Sequence, residues 1–244
     1  PDGLANRSGK VGKNLMFHPF ASVGGVFPQA LDSSLGPIGS IVFSHEFYET
    51  DPRRDFVRGV MMQVVRQSGP LHTALGGFTM QRVPWGDAHH AAFAERYGHM
   101  INIGVMGEDL PEPVNEVALD PELSDTHGIP APLVRYRLSD NSLRMMNFGV
   151  ARAGDALRSA GAVEVLTNNP LRPSGWHLLG TCRMGDRPSE SVVDRWGRAH
   201  DVDNLFVVDG SLFVTSAAVN PTTTIQALAL RTADYITRTH GRSA

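Results

Sequence analysis

A chain of 244 residues is long enough for one large domain or two modest ones, with a real hydrophobic core. Its net charge of −3 gives no electrostatic basis for binding nucleic acid or an anionic membrane, and no apolar run approaches the ~20 residues that make a transmembrane segment. The single cysteine, Cys182, excludes an intrachain disulfide and a Cys-based zinc site, which favours a reducing, cytoplasmic compartment.

Residues 1–27 begin Gly-rich and polar, with a turn signal at Gly9-Lys10-Val11-Gly12. They then run through Leu15-Met16-Phe17-His18-Pro19 into a short apolar stretch. Val, Ile, Phe and Tyr enrich residues 38–48 and 56–66, which predicts two strands around a loop at Asp51-Pro52-Arg53-Arg54. A helix is predicted over 87–98, with Asp87 as N-cap and Gly98 as stop, followed by a strand from Met100 to Met106. Residues 115–119 and 133–138 alternate polar and apolar around a turn at Asp125-Thr126-His127-Gly128, as a hairpin does. A long helix starts at Asp140-Asn141. Leu143, Met146, Val150, Ala153 and Leu157 form its apolar stripe, and Gly161 ends it. Short apolar runs at 192–194 and 205–208 predict strands, and a last helix is predicted over 221–238 with Pro221 in its first position. Strands with a few helices and no alternating strand–helix rhythm argue for an α+β fold.

Three places carry chemistry. His177 has a side chain that can act as a general base near neutral pH, in front of a tight Gly180-Thr181-Cys182 loop. Asp209-Gly210 closes the 205–208 run, where a carboxylate can accept hydrogen bonds from sugar or ribityl hydroxyls. Asn220 precedes the last helix, whose N-terminus offers N–H groups and partial positive charge around Pro221 and Thr222. Each also has a plain structural reading: a hydrogen-bonded loop histidine, an Asp-Gly turn, and an Asn N-cap. Cys182 reads as a small interior residue. The other histidines, His18 among them, show no metal-ligand spacing, so no metal site is expected.

In this order and spacing, three segments resemble the C-terminal signature of the glucose–methanol–choline (GMC) oxidoreductases. They are His177-Leu178-Leu179-Gly180-Thr181-Cys182-Arg183-Met184-Gly185, Asn204-Leu205-Phe206-Val207-Val208-Asp209-Gly210-Ser211, and Asn220-Pro221-Thr222-Thr223-Thr224. Gly12-Lys13-Asn14-Leu15-Met16, Gly107-Glu108-Asp109 and Leu119-Asp120-Pro121 resemble the family more loosely, and the sugar and polyol dehydrogenase side is most similar. The resemblance implies FAD-dependent oxidation of an alcohol or sugar substrate. His177 takes the hydroxyl proton, the carbon-bound hydrogen moves as hydride to flavin N5, and Asn220 orients the hydroxyl. Asp209, Gly210, Pro221 and Thr222 contact the FAD. It also implies an antiparallel-sheet substrate domain backed by helices over residues 15–165. Residues 166–244 are then the C-terminal portion of a Rossmann-like FAD-binding domain, and residues 1–14 a linker.

The family's Gly-x-Gly-x-x-Gly turn, which seats the ADP part of FAD, occurs nowhere in the sequence. With Pro1 opening the chain and no leader-like segment after it, the expectation is the C-terminal half of such an enzyme. The N-terminal FAD-binding part then lies elsewhere, as removed sequence or a second chain. Two alternatives stay open: a GMC-like lyase of the hydroxynitrile lyase type, and a non-catalytic binding or assembly module.

Overall fold

The computed structural model describes residues 3–36, 39–66, 69–171 and 175–240. Residue 38, where the first predicted strand begins, lies outside them. The chain forms two compact units, one of Pro19–Glu108 and Asp140–Ser174, the other of Pro1–His18, Asp109–Ser139 and Gly175–Ala244.

The first unit is a sheet backed by a helix. β1 (Phe20–Val26), β2 (Ser40–Ser44), β3 (Val60–Arg66), β4 (Met100–Gly107) and β7 (Glu164–Asn168) form a five-stranded sheet in the order β2-β3-β4-β1-β7. All its pairings are antiparallel. β1 is buried along its whole length, which explains why it reads as a small-and-apolar run without alternation. Two short helices, α1 (Pro70–Ala74) and α2 (His89–Arg96), lie in the long β3–β4 connection. Ala88, not Asp87, stands at the α2 N-cap position, and Gly98 follows the helix with φ 80°. The twenty-residue α3 (Asp140–Ser159) lies on the sheet. Its buried face includes Met145, Met146, Ala153 and Leu157, packed with Val23, Val60 and Val105 in one core. Leu143, expected on that stripe, is 41% exposed, and Met145 takes the core position instead.

The second unit is held mostly by single bridges. Its hairpin pairs β5 (Glu116–Ser124) with β6 (Pro130–Arg135) around a turn in which Asp125 Oδ1 accepts from His127 N and Ile129 N. The segment around Gly12–His18 is bonded on two sides. Val117 N donates to Gly12 O, while Met16 and Leu179 exchange both N–H···O bonds at 3.0 Å. A small core of Val192, Val193 and Leu212 collects Val11, Met184, Val207 and Leu228 around it. α4 (Thr222–His240) ends the described chain.

Three expectations change. The runs at 192–194 and 205–208 are not strands. Val193 and Phe206 make isolated bridges, so the backbone there pairs one residue at a time. Ile225 N donates to Pro221 O at 3.0 Å, so Pro221 is the capping position, and Asn220 stands one residue before it. The units also cut the chain differently from 15–165 and 166–244. β7 carries 166–168 into the sheet beside β1, and the 109–139 hairpin region joins the unit of residues 12–18, to which it is bonded.

Candidate active site

The pairing of Met16 with Leu179 sets the site. The two segments run antiparallel, and two residues further along each of them His18 meets His177. The rings lie edge to face, with Nδ1 2.7 Å from Nδ1. At that distance one nitrogen must hold a hydrogen and the other a lone pair. His18 is fully buried, and its Nε2 lies 3.0 Å from Ser216 O and 2.8 Å from Ala217 O. His177 is half-buried. Burial pushes both imidazoles down, His18 from 6.5 to about 4. Burial therefore favours the neutral form of both rings at pH 7.

The segments around the pair are tied by a buried carboxylate. Asp109 is 1% exposed; its Oδ2 accepts from Tyr136 O–H at 2.7 Å and from Phe17 N at 3.5 Å. Its backbone O accepts from Ser216 Oγ at 3.1 Å. Phe17 and Tyr136 pack edge to face above this contact. Burial, with the Asp109 charge beside it, raises the Tyr136 phenol far above its ordinary value, so the phenol is a permanent donor. One residue thus joins the segment before His18 to the turn that receives the His18 ring. His177 (φ 60°), Ala217 (φ 54°) and Asn14 (φ 61°), three of the positive-φ non-glycine residues among those described, lie in these segments.

The other expected residues lie along the same unit. Gly180 (φ 93°) turns the His177 loop where a Cβ would run into Asn14 O. Gly210 is buried, and a Cβ there would stand 2.7 Å from Leu179 Cδ2, 2.9 Å from Leu178 O and 3.4 Å from Ile225 Cδ1. The His177 loop, the Gly210 turn and the first turn of α4 therefore meet at one glycine. Bonds from Gly180 N to Gly210 O and from Cys182 N to Ser211 O continue the contact. Asp209 is exposed; instead of ending a strand it caps the 3-10 turn Gly210–Leu212, with Oδ1 accepting from Ser211 N at 2.8 Å. Pro221 is buried, whereas Asn220 and Thr222 are exposed. Cys182 is half-buried and burial raises its thiol, which fits an inert interior role.

Sequence reasoning missed His18, Asp109, Tyr136 and Ser216 as site residues. His18 is 159 positions from His177, so only strand register could find it. The available signal was a histidine two residues after Met16 in an otherwise apolar run. Among the described residues no group of three or more His, Cys, Asp or Glu side chains is arranged to hold a metal.

Residues 111–229 match the family described as GMC oxidoreductase. The chain is 46% identical over 240 residues to 2-methyl-1,2-propanediol dehydrogenase of Mycolicibacterium austroafricanum, covering 98% of this chain and 44% of that protein. It is 31% identical over 238 residues to the fructose dehydrogenase large subunit of Gluconobacter japonicus, covering 97% and 42%. Among solved structures, formate oxidase superposes with a TM-score of 0.63 at 17% identity, over 95% of this chain and 48% of that one. That likeness is one of fold. The chain spans less than half the length of each of these proteins.

Proposed function

Because this chain belongs to the GMC oxidoreductase family, we propose that it supplies the proton-accepting half of an FAD-dependent alcohol dehydrogenase or oxidase site. The observation that carries the reading is the 2.7 Å contact between His18 and His177, which holds a neutral, half-buried imidazole in place. His177 accepts the substrate hydroxyl proton, and Asn220, exposed just ahead of α4, orients that hydroxyl. The donor set fits a flavin. The first turn of α4 presents Thr222, Thr223 and Thr224 at the surface, where its N–H groups suit an anionic ring edge. Asp209 offers an exposed carboxylate to hydroxyls beside the tight backbone of Gly210. FAD, when bound, is the two-electron acceptor for the carbon-bound hydrogen.

The relatives named for 2-methyl-1,2-propanediol and fructose support a small polyhydroxylated substrate. The lack of a Gly-x-Gly-x-x-Gly turn supports an ADP-binding part supplied by residues beyond these 244, on the same or a companion chain. No helix among the described residues is long and apolar enough to cross a membrane. The test is anaerobic mixing of the flavin-loaded protein with a vicinal diol or a ketose. The flavin absorbance should bleach, and a His177→Ala variant should bleach about 10²–10⁴-fold more slowly. Unchanged bleaching in that variant removes His177 from the proton-accepting role. Flavin that never bleaches with any alcohol sinks the redox reading.

A further inference from the structure

We infer that His18 is a positioning residue that locks His177 in the tautomer whose Nε2 is free to accept the substrate proton. The inference rests on the reading of His177 as the base. It follows from counting hydrogens along one chain of contacts. Ser216 O and Ala217 O can only accept, so the His18 nitrogen facing both must carry a hydrogen. A neutral ring has one N–H, so His18 Nδ1 holds a lone pair. The 2.7 Å contact then requires the hydrogen between the rings to belong to His177 Nδ1. The lone pair of His177 is left on Nε2, the nitrogen that points away from His18.

The opposite assignment needs a charged His18. That charge would sit in a ring with no solvent exposure, and burial moves the ring's titration down to about 4. The ionisable groups near the pair are Asp109, which carries the Phe17 N and Tyr136 O–H bonds, and Tyr136 itself. Asp209 and Cys182 lie along the bonded segments beside the His177 loop.

The substrate O–H bond breaks and its proton goes to His177 Nε2, making an imidazolium that still donates from Nδ1 to His18. His18 stays neutral and passes nothing on, because its own N–H is committed to two carbonyls. The proton therefore leaves from His177 Nε2, on the side where it arrived. His18 is a stop, not a relay.

The test uses the flavin-loaded protein labelled with ¹⁵N-histidine. At neutral pH the ring nitrogens should show hydrogen on Nδ1 of His177 and on Nε2 of His18. Hydrogen on Nε2 of His177 overturns the inference, whatever the activity. Two variants separate holding the fold from holding the tautomer. His18→Gln keeps an N–H donor towards the carbonyls, but its amide oxygen lies one bond beyond the place of Nδ1, so no acceptor stands at the position that faces His177. It should lose about 10- to 10²-fold in kcat with little change in KM, a part of what a positioned base supplies. His18→Asp keeps an acceptor at the Nδ1 position. It should recover most of that rate and move the acid limb of kcat/KM to higher pH, because a carboxylate favours the imidazolium. A His18→Gln protein with full kcat and His177 still protonated on Nδ1 overturns the inference. If neither variant folds, the ring-nitrogen spectrum of the parent decides. Correct tautomers in a protein that never oxidises an alcohol would sink the functional reading and leave the role of His18 standing.

Discussion

The sheet unit and the unit carrying His177 are stabilised on opposite terms. β1 and β4 are joined by seven consecutive paired residues, and side chains from α3 seal one face. The His177 loop has one two-way bridge to Met16, three left-handed non-glycine residues in its segments, and a buried Asp109 whose carboxylate and backbone carbonyl together tie three segments. Regular ladders give shape without aiming any particular side chain. Single bridges and buried polar contacts give less redundancy, but they aim one imidazole at another. Damage to the first unit should therefore appear as lost stability, and damage to the second as altered chemistry.

Met145→Ala is the largest expected break on the sheet side. Met145 is fully buried between helix and sheet, so the variant should lose about 2–5 kcal/mol in urea unfolding. In the flavin-loaded protein its pH–rate profile should be unchanged. A shifted profile would mean that the sheet also tunes the site.

A pH titration of stability examines the other side. His18 has its pKa lowered on folding, so the unfolded chain binds more protons between pH 6.5 and about 4. Stability is full above 6.5 and is lost as pH falls towards 4, by about 3 kcal/mol for a shift of this size. Burial lowers His177 as well, which acts in the same direction. In His18→Gln most of this loss should vanish. An equally steep acid limb in that variant would place the buried proton uptake elsewhere.

The same contrast explains what could be read from sequence. β4, the hairpin and α3 were legible because apolar periodicity is local, and each element needs only its own residues to announce it. His177, Gly210 and Pro221 are suggested by the motif resemblance over the last seventy or so residues, and the structure brings the His177 loop, the Gly210 turn and the first turn of α4 together at Gly210. His18 was not. Its role depends on which segment residues 12–18 pair with, and that partner is the run beginning at Trp176. The 192–194 and 205–208 runs were misread for a related reason. Val192, Val193 and Val207 are apolar because they pack with Leu212, and apolar burial alone does not make a ladder.

Tyr136→Phe sharpens the comparison at intermediate size. It removes the hydroxyl that donates to Asp109 and leaves the ring against Phe17 in place. The buried carboxylate loses a donor, at a cost of about 1–3 kcal/mol in unfolding. Kinetics should change as well, because Asp109 also holds Phe17 N and Ser216 Oγ on either side of His18. A variant that loses stability while keeping kcat and its pH profile would separate Asp109 from the aiming of His177.

Asn220→Ala is the smallest expected effect on stability and the clearest on role. Had Asn220 capped α4, truncation would cost about 1 kcal/mol. The first helical bond is received by Pro221 O, and Asn220 is exposed one residue outside. Its removal should therefore stay within about 0.5 kcal/mol of parent stability, as for most surface changes. Turnover of the flavin-loaded protein should nevertheless fall, because an orienting side chain acts on substrate geometry and not on the helix. Thermal unfolding and kcat measured on the same preparation distinguish the two roles. A stability loss near the full capping value with kcat intact would make Asn220 a helix residue and leave His177 without its proposed partner.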